Sequence, residues 1–484
     1  MKVSTLKKNI FYSLLLTSSR FVFPLVTYPY ITRILGPDKI GILNFADTYS
    51  NYFVLIAALG VPLYGVREVA KVKDDRTRLN KVVSEIALIY LLSTIICLIV
   101  FASSILLVDQ FRRELTLNVI FGLNIILTFA SFEWVFIGLE KFKFITQRSL
   151  LTKLIPIVMM FFLVKDGADY IVYQGLNLAA FLLNAGINLF ALRKYVQLGW
   201  KNLNIRQHVS PLVLVFFSSV FISFYSMVDI LILGLLSTNA ALGYFSTAIK
   251  LNRIASLVIA SIGNVLLPRI SSLKMMGKME EIQNTIGNSM KLTVFLTIPL
   301  FFIFLVLAPS LIFTIAGPDY ESAVLPFQIL SPIVVLLGIS NVYSIQVLLP
   351  FSREKELIKV FALTTAASIA LNLVLVPKWD YVGAACATLV TEVLLVIASG
   401  FYVNRILRIT LPFRFAIWCA LVSALLLPIH WGVRILTSSL WLQAMVSTLI
   451  FGISYMAIQL VFSPEIRELG ILHSFKQRIL KNFK

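Results

Sequence analysis

Charged side chains occur within otherwise apolar stretches of this 484-residue chain, at spacings that place them on one face of a helix. The first stretch carries Arg20, and four polar or helix-bending residues share its face at intervals of three or four: Ser13, Thr17, Pro24 and Thr27. An arginine at mid-span costs roughly 2.5 to 3.5 kcal/mol on insertion scales, so it normally faces protein or water. Guanidinium groups bind carboxylates and phosphates, and the stripe therefore predicts anion binding.

Further polar stripes follow the same helical spacing. They comprise Asn44, Asp47, Thr48 and Asn51; Ser219, Ser223, Ser226 and Asp229; and Lys250, Arg253 and Asn264. The candidate anion-binding residues are the cations on or near these stripes, namely Arg20, Lys250, Arg253 and Lys153. Asp47 and Asp229 are the candidate salt-bridge or ion-coupling carboxylates. Because the cations outnumber the carboxylates, we predict a water-filled cavity with net positive charge.

The alternative is that these groups are structural. Arg20 would then pair with Asp47, and Asp229 with Lys250, as buried salt bridges. The two interpretations are compatible if an anion displaces each carboxylate from its cation. Arg148 is expected to extend from its span towards the interface, and His208 is expected to be solvated or interfacial.

Fourteen apolar stretches, most of 20 or more residues, carry these groups. A helix of roughly 20 apolar residues crosses a hydrocarbon core about 30 Å thick and satisfies its own backbone hydrogen bonds there. We predict spans at 10–32, 41–64, 84–108, 116–138, 145–164, 170–192, 211–236, 241–268, 289–315, 323–349, 357–376, 381–404, 415–432 and 438–462. The predicted fold is an all-α polytopic membrane protein with about 14 transmembrane helices.

The net charge of +19 is explained by membrane topology rather than by a nucleic-acid partner. With a cytoplasmic N-terminus, the tails and cytoplasmic connectors hold 28 lysine and arginine residues, and the external connectors hold 7. Cytoplasmic loops are enriched in these residues, so we expect both termini in the cytoplasm. The longest external connector, around 109–115, leaves no room for an external catalytic domain.

A short internal repeat predicts two similar halves. The motif at 34–46 recurs at 232–248, and the motif at 163–170 recurs at 375–381. Six predicted spans separate the copies, as in transporters built from repeats. We therefore predict two pseudo-symmetric six-helix lobes with a binding cavity between them. The predicted segments are a lobe at 1–208, a lobe at 209–405, and two additional helices with a basic tail at 406–484.

No catalytic or metal-binding motif accompanies the charged groups. The sequence lacks a zinc-binding helix pair, a Gly-rich phosphate loop and a nucleophile elbow. Cys97, Cys386 and Cys419 lie within predicted spans without metal-ligand spacing. We therefore expect no catalytic residue, no metal and no cofactor, which favours a transporter over an enzyme.

Five motifs along the chain resemble one known family. They run from Tyr28 to Pro37, Glu133 to Thr146, Asp229 to Lys250, Leu267 to Ser271 and Tyr381 to Glu392. Together they resemble the bacterial polysaccharide repeat-unit flippases, the O-antigen-type branch of the multidrug, oligosaccharidyl-lipid and polysaccharide exporter superfamily. The resemblance covers nearly the whole chain.

The resemblance implies an alternating-access flippase of the bacterial cytoplasmic (inner) membrane. Its substrate would be an undecaprenyl-diphosphate-linked oligosaccharide, turned from the inner to the outer leaflet for O-antigen, capsule or exopolysaccharide biosynthesis. By motif position, the site residues would be Arg20, Asp229, Lys250 and Arg253. The implied partners are the bilayer, a polysaccharide polymerase and a ligase, with H⁺ or Na⁺ as the coupling ion.

Three alternatives remain open at this point. A lipid II flippase of the same superfamily would share the architecture and the charge. A multidrug exporter would prefer an acidic cavity for cationic drugs, whereas the predicted cavity is basic. A membrane glycosyltransferase or polymerase is the alternative of a different class, and sugar transfer by the purified chain would support it.

Overall fold

The computed structural model describes the backbone of residues 3–201 and 203–468. Within these ranges the described side chains exclude those at 3–11, 13, 14, 17, 18, 20–22, 110, 218, 219, 221, 222, 255–261, 264, 467 and 468. The described backbone is helical along most of its length and contains no β-strand. The predicted all-α class is confirmed.

The chain folds into two compact units, Met1–Gly243 and Tyr244–Lys484. The first unit contains α1 Val3–Ala58, α2 Val61–Val72, α3 Arg76–Leu107, α4 Asp109–Arg112, α5 Leu115–Ala130, α6 Glu133–Gly138, α7 Phe142–Leu163, α8 Tyr170–Leu192 and α9 Arg206–Leu236. Helix α10, Asn239–Met275, begins in the first unit and continues into the second.

The second unit contains the remaining helices of the described chain. They are α11 Met279–Val306, α12 Ala308–Ile315, α13 Val324–Leu330, α14 Ile333–Asn341, α15 Glu354–Asn404, α16 Phe413–Leu425, α17 Pro428–Leu436, α18 Leu440–Phe462 and α19 Pro464–Glu468. Two short 3₁₀ helices, Gly167–Asp169 and Pro318–Ala323, and a π-helical segment, Val342–Leu348, complete the secondary structure.

Nine helical segments of the described chain are long and apolar enough to cross a membrane, and one bent pair adds a tenth. Two of the nine, Phe23–Val72 and Glu354–Asn404, contain 50 and 51 residues, more than twice the roughly 20 that one crossing needs. The predicted multi-pass membrane fold is confirmed. Fourteen spans are compatible with these lengths, and that number stays a prediction, as do the lobe boundaries at 208 and 405.

Helices α1 and α15 each contain one break, at a residue with a positive φ angle. In α1 the break is at Gly36 (φ 71°, ψ 173°), a conformation that glycine adopts without steric cost. In α15 it is at Asp380 (φ 53°, ψ −134°), where a side chain makes the backbone strained. Each break falls within a motif of the predicted repeat, so the repeat marks the points where these helices change direction.

Helix α2 lies against α6 through two glycines. A Cβ at Gly65 would be 2.5 Å from Cε3 of Trp134, and one at Gly138 would be 2.6 Å from Cγ1 of Val69. Val69 and Trp134 are both buried. The close approach of the two helices orients the buried face of α2, which also carries Tyr64.

The second unit has two apolar cores joined by α11. One core surrounds the beginning of α11 and includes Ile282, Ile286 and Met290. The other surrounds its later turns and the C-terminal helices, where Phe295 packs with Tyr455 at 5.4 Å between ring centroids. The hydroxyl of Tyr455 donates to the carbonyl of Phe295 at 3.1 Å. The two additional helices predicted at the C-terminus thus dock on α11.

Candidate functional site

Asp47 lies on the second part of α1, with its side chain exposed. It interacts electrostatically with Tyr173 of α8, whose hydroxyl also hydrogen-bonds Asn177. Its own carbonyl accepts hydrogen bonds from Ser50 Oγ at 3.0 Å and Asn51 Nδ2 at 2.9 Å. Asp47 of the polar stripe predicted for the second span therefore lies near polar groups of α8.

Asp229 lies on α9 and is 7% exposed. Tyr52 of α1 is close enough to interact with it electrostatically, and the Tyr52 ring packs on Phe224 with 4.6 Å between centroids. The Tyr52 hydroxyl is buried without a hydrogen-bond partner in the described part of the chain. Burying a carboxylate in such surroundings is energetically costly unless it has compensating partners. A buried carboxylate on an apolar helix is typical of a functional position.

The predicted cations have different surroundings. Lys250 is exposed and Arg253 half-buried, one turn apart on α10 in the second unit, while Lys153 is half-buried on α7. The side chain of Arg20 lies outside the described residues. The pairing of Arg20 with Asp47, the pairing of Lys250 with Asp229 and the cationic cavity itself therefore stay predictions.

Arg148 forms a buried ionic cluster that the sequence interpretation missed. It is 3% exposed, so the expectation that it extends to the interface is wrong. Its Nη2 donates to Glu133 Oε2 at 3.1 Å and its Nη1 to Asn188, which in turn donates to the carbonyl of Ser131. The cluster fastens α7 to α8 and to the turn before α6, and it indicates a structural role for Arg148.

His208 belongs to a second buried network, and the expectation of a solvated histidine is also wrong. Its ring is 2.9 Å from Glu85 Oε2 through Nε2 and 2.7 Å from the Tyr64 hydroxyl through Nδ1. The Glu85 side chain has no exposed area and also accepts from the backbone N–H of Asn204 at 2.7 Å and Gln207 Nε2 at 2.9 Å. The Glu85 carboxylate is thus satisfied by three groups on one segment: the Asn204 N–H, the Gln207 side-chain amide and the His208 ring.

That segment is the end of the connector between α8 and α9 together with the first turn of α9, and the connector runs along the first turns of α3. Besides Glu85, Asn80 Oδ1 accepts from the N–H of Gln197 at 2.9 Å and Ser84 Oγ from the N–H of Gly199 at 3.0 Å. Side chains of one helix therefore satisfy backbone donors that the irregular connector cannot pair itself. The contacts fix the start of α9, the helix that carries Asp229.

Turns at one end of the first unit are joined by partly exposed charged side chains. Lys73, between α2 and α3, donates to Glu140 Oε1 at 2.8 Å, and this hydrogen bond raises the pKa of the Lys73 ammonium. Lys141 lies over the Tyr195 ring at 5.0 Å from its centroid. Ion pairs near the surface contribute little stability, and these contacts hold the turns next to each other.

The first motif of the repeat forms two segments that touch each other. Junction 1 (residues 33–46) surrounds the break in α1, and junction 2 (residues 232–243) spans the end of α9 and the start of α10. A Cβ at Gly41 would be 2.6 Å from the carbonyl carbon of Asn239, and one at Gly243 would be 2.7 Å from the carbonyl carbon of Pro37. Each glycine thus meets the residue four positions before the other, as pseudo-symmetry requires.

A polar pocket of about 560 Å³ opens beside the two junctions. Its polar lining consists of Asp38, Arg113, Glu114, Asn118, Ser237, Thr238 and Asn239. Glu114 Oε2 accepts from the Tyr170 hydroxyl at 2.7 Å, and Lys39 lies 4.8 Å from the centroid of the same ring. Sequence reasoning missed this pocket because three separated segments contribute to it.

These features define a class of protein. The chain is an all-helical, multi-pass membrane protein with two units, internally repeated junctions and carboxylates held on its apolar helices. Residues 6–274 match the model of the family described as polysaccharide biosynthesis protein. The chain belongs to that family.

Individual proteins support the same assignment. A putative O-antigen transporter of Escherichia coli (strain K12) is 29% identical over 398 residues, which cover 81% of this chain and 94% of that protein. A probable low-salt glycan biosynthesis flippase, Agl15, of Haloferax volcanii is 24% identical over 248 residues, 51% of this chain and 52% of that protein. The solved structure of the lipid II flippase MurJ in an inward closed conformation has a TM-score of 0.73 at 15% identity, covering 94% of this chain and 99% of that chain. The last likeness concerns the fold.

Proposed function

We propose that this protein is a flippase for undecaprenyl-diphosphate-linked oligosaccharide repeat units. It turns them from the inner to the outer leaflet of the bacterial cytoplasmic membrane, with both of its own termini in the cytoplasm, for surface polysaccharide biosynthesis. The polysaccharide polymerase and ligase that act on the externalised units are its functional partners. Family membership and the names of the two sequence relatives support this substrate class.

The observation that carries the proposal is the placement of charge on apolar helices. Asp229 is buried on α9, Arg253 is half-buried on α10, and Asp47 projects from α1. Ionisable residues within spans are expensive, and they usually line a substrate or ion pathway. A transporter of a charged amphiphile gives these residues a function, whereas a purely structural helix bundle does not need them.

The substrate chemistry fits the predicted cations. A diphosphate carries two or more negative charges, and guanidinium and ammonium groups compensate them in a site with little water. We assign this role to Arg20, Lys250, Arg253 and Lys153. The polyprenyl chain remains in the bilayer while the saccharide crosses with the diphosphate.

The contact between junctions 1 and 2 supports alternating access. With the proposed topology both junctions lie at the external ends of their helices, and they touch through backbone at Gly41 and Gly243. Release of the saccharide outward requires them to separate. Glycines allow a close contact with the facing backbone carbonyl groups, and this contact can open without breaking an ion pair.

Asp229 is the proposed coupling residue, with H⁺ or Na⁺ as the ion. Neutralising its carboxylate frees a cation for the diphosphate, and ionisation recaptures that cation. An inside-negative potential of 100 mV assists outward movement of each negative charge by about 2.3 kcal/mol, so coupling is needed chiefly for the return of the empty carrier. Asp47 is assigned a mainly structural role.

The experiment is complementation of a strain that lacks its own flippase and carries the matching repeat-unit pathway. Alanine at Arg20, Lys250 or Arg253 should abolish surface polysaccharide while the protein remains in the membrane, and Arg20→Lys should retain part of the activity. The matched control is Lys359→Ala, which removes an exposed lysine outside the proposed site. Normal export by all three alanine variants contradicts the cationic site.

The MurJ-like fold also suits lipid II, which is the second candidate substrate. Both substrates share the polyprenyl diphosphate, so the head group does not separate them. A flipping assay in proteoliposomes loaded with one substrate or the other separates the two candidates. Faster flipping of lipid II than of the oligosaccharide repeat unit would favour the second candidate.

A further inference from the structure

A second pocket lies wholly within the second unit, between the C-terminal turns of α10 and the early turns of α11. Its volume is about 430 Å³. Arg269 of α10 and Thr285, Asn288 and Ser289 of α11 form its polar wall. None of these residues belongs to the predicted substrate site, so the pocket needs its own explanation.

Ser289 supplies a hydrogen-bond donor that the protein does not use. On the same face of α11, three threonines donate their hydroxyls to the carbonyl four residues earlier: Thr285, Thr293 and Thr297. Ser289 occupies the remaining position of this row, yet its Oγ is buried without a partner in the described chain. A buried hydroxyl without a hydrogen-bond partner is energetically unfavourable, and an acceptor atom in the pocket would relieve this cost.

Arg269 supplies an exposed positive charge at the pocket's mouth. The salt bridges of the described chain include no carboxylate for it, and Glu281, four residues before Thr285 on α11, pairs with Lys278 at 2.6 Å. Guanidinium groups bind phosphate oxygens by paired, charge-assisted hydrogen bonds. The pocket therefore combines one uncompensated cation with a buried donor.

The rest of the lining, formed by residues of the same two helices that lie nearer the predicted spans, is an apolar wall. It includes Leu266, Leu292 and Val265, of which Val265 is 76% exposed. Leu266 lies near the end of the predicted span 241–268 and Leu292 near the start of the span 289–315. The polar wall is therefore at head-group depth, with the apolar wall beside the acyl chains.

We propose that this pocket binds the phosphodiester head group of an anionic glycerophospholipid. Arg269 pairs with the phosphate, the Ser289 hydroxyl donates to one of its oxygens, and Leu266 and Leu292 contact the first acyl carbons. A phosphodiester carries one negative charge, which one arginine balances. The diphosphate of the transported substrate carries more and fits the predicted cluster of cations better, so the pocket is a site for a resident lipid, independent of the proposed transport function.

The test measures lipid binding to the purified full-length chain. Native mass spectrometry in detergent follows retention of palmitoyl-oleoyl phosphatidylglycerol as its concentration is raised. We expect Arg269→Gln to weaken its binding by about tenfold or more, and Ser289→Ala by about threefold to tenfold. Arg353→Gln is the matched control, since this arginine of the same unit pairs with Glu356 outside the pocket and should leave binding unchanged. Ser289→Ala removes only an unpaired hydroxyl, so it should not impair folding.

Three competitors identify the ligand chemistry. Palmitoyl-oleoyl phosphatidylcholine, whose own ammonium group offsets the charge of its phosphate, should bind more weakly and lose less affinity in Arg269→Gln, and inorganic phosphate should not displace phosphatidylglycerol. Equal effects of Arg269→Gln and Arg353→Gln would overturn the proposal, as would displacement by inorganic phosphate. Tighter, Arg269-dependent binding of undecaprenyl diphosphate would instead assign the pocket to the substrate.

Discussion

Replacing Gly41 with alanine should force junctions 1 and 2 apart. The new Cβ would overlap the carbonyl group of Asn239 and lie 2.6 Å from its carbon, whereas ordinary contacts of this kind are 3.4 Å or longer. The backbones must therefore separate by at least about 0.8 Å, and overpacking of this kind costs about 1–3 kcal/mol. Because the obstacle is backbone, rotation of a side chain cannot relieve it.

The cost applies only to the state in which the junctions touch. In alternating access, a penalty of about 1–3 kcal/mol on that state raises the ratio of separated to closed molecules roughly 5- to 150-fold. Gly243→Ala should act in the same direction, because its Cβ would lie 2.7 Å from the carbonyl carbon of Pro37. Gly186→Ala is the matched control, since a Cβ at that helical glycine meets open space and alanine favours the helix.

The assay is the labelling of one cysteine at Ala241 by a membrane-impermeant maleimide in intact cells. Ala241 is 2% exposed and lies between the two contact points of junction 2, and the native Cys97, Cys386 and Cys419 are replaced beforehand. Labelling should be about tenfold faster in Gly41→Ala than in Gly186→Ala, within the range set by the penalty. Equal rates in the two variants would refute the claim that the junctions close the external side.

Three further predictions concern topology, stability and coupling. A cytoplasmic reporter fused after Lys484 should be active and one fused at 109–115 should behave as external; the opposite pattern reverses the topology. Glu85→Leu leaves the buried His208 ring without its carboxylate partner at about 1–3 kcal/mol and removes the acceptor of the exposed Asn204 and Gln207, so it should lower the melting temperature of the purified protein more than Glu281→Leu, which breaks only an exposed pair. Equal melting temperatures would contradict the network's importance. Asp229→Asn should change the dependence of flipping on imposed pH or Na⁺ gradients in proteoliposomes, and wild-type dependence would remove its coupling role.

The helices were predictable because hydropathy acts locally. The predicted span 170–192 coincides with α8, Tyr170–Leu192. The connectors were less predictable: residues 33–40 are mostly helical and interrupted only at Gly36. A fall in hydropathy marks where a membrane crossing ends, but it does not mark where the helix ends. The helix continues past that point until the backbone leaves helical φ and ψ angles.

The buried polar networks were not predictable from local patterns. Glu85 and His208 are 123 positions apart, and only the path of the connector along α3 brings them together. Arg148 is buried because Asn188 of α8 and Glu133 offer it polar partners. Rules for single residues at span ends therefore place Arg148 and His208 wrongly, since the groups that satisfy them lie on other helices.

The stripes that carry Asp47 and Asp229 were visible because each stripe lies within one helix. Their periodicity identifies a polar face, and the structure places Tyr173 near Asp47 and Tyr52 near Asp229. The residues that contact each polar face depend on how the helices pack. Those residues have no fixed sequence separation from the face, so a single sequence does not identify them.

The central claim is tested most directly by flipping in proteoliposomes. The purified chain is reconstituted with an undecaprenyl-diphosphate-linked oligosaccharide repeat unit, and the fraction accessible to a membrane-impermeant glycosidase is followed over time. Wild-type protein should make inner-leaflet substrate accessible far faster than empty liposomes, and Arg253→Ala should abolish this difference while Lys359→Ala retains it. Equal rates with wild-type protein and with empty liposomes would contradict the account.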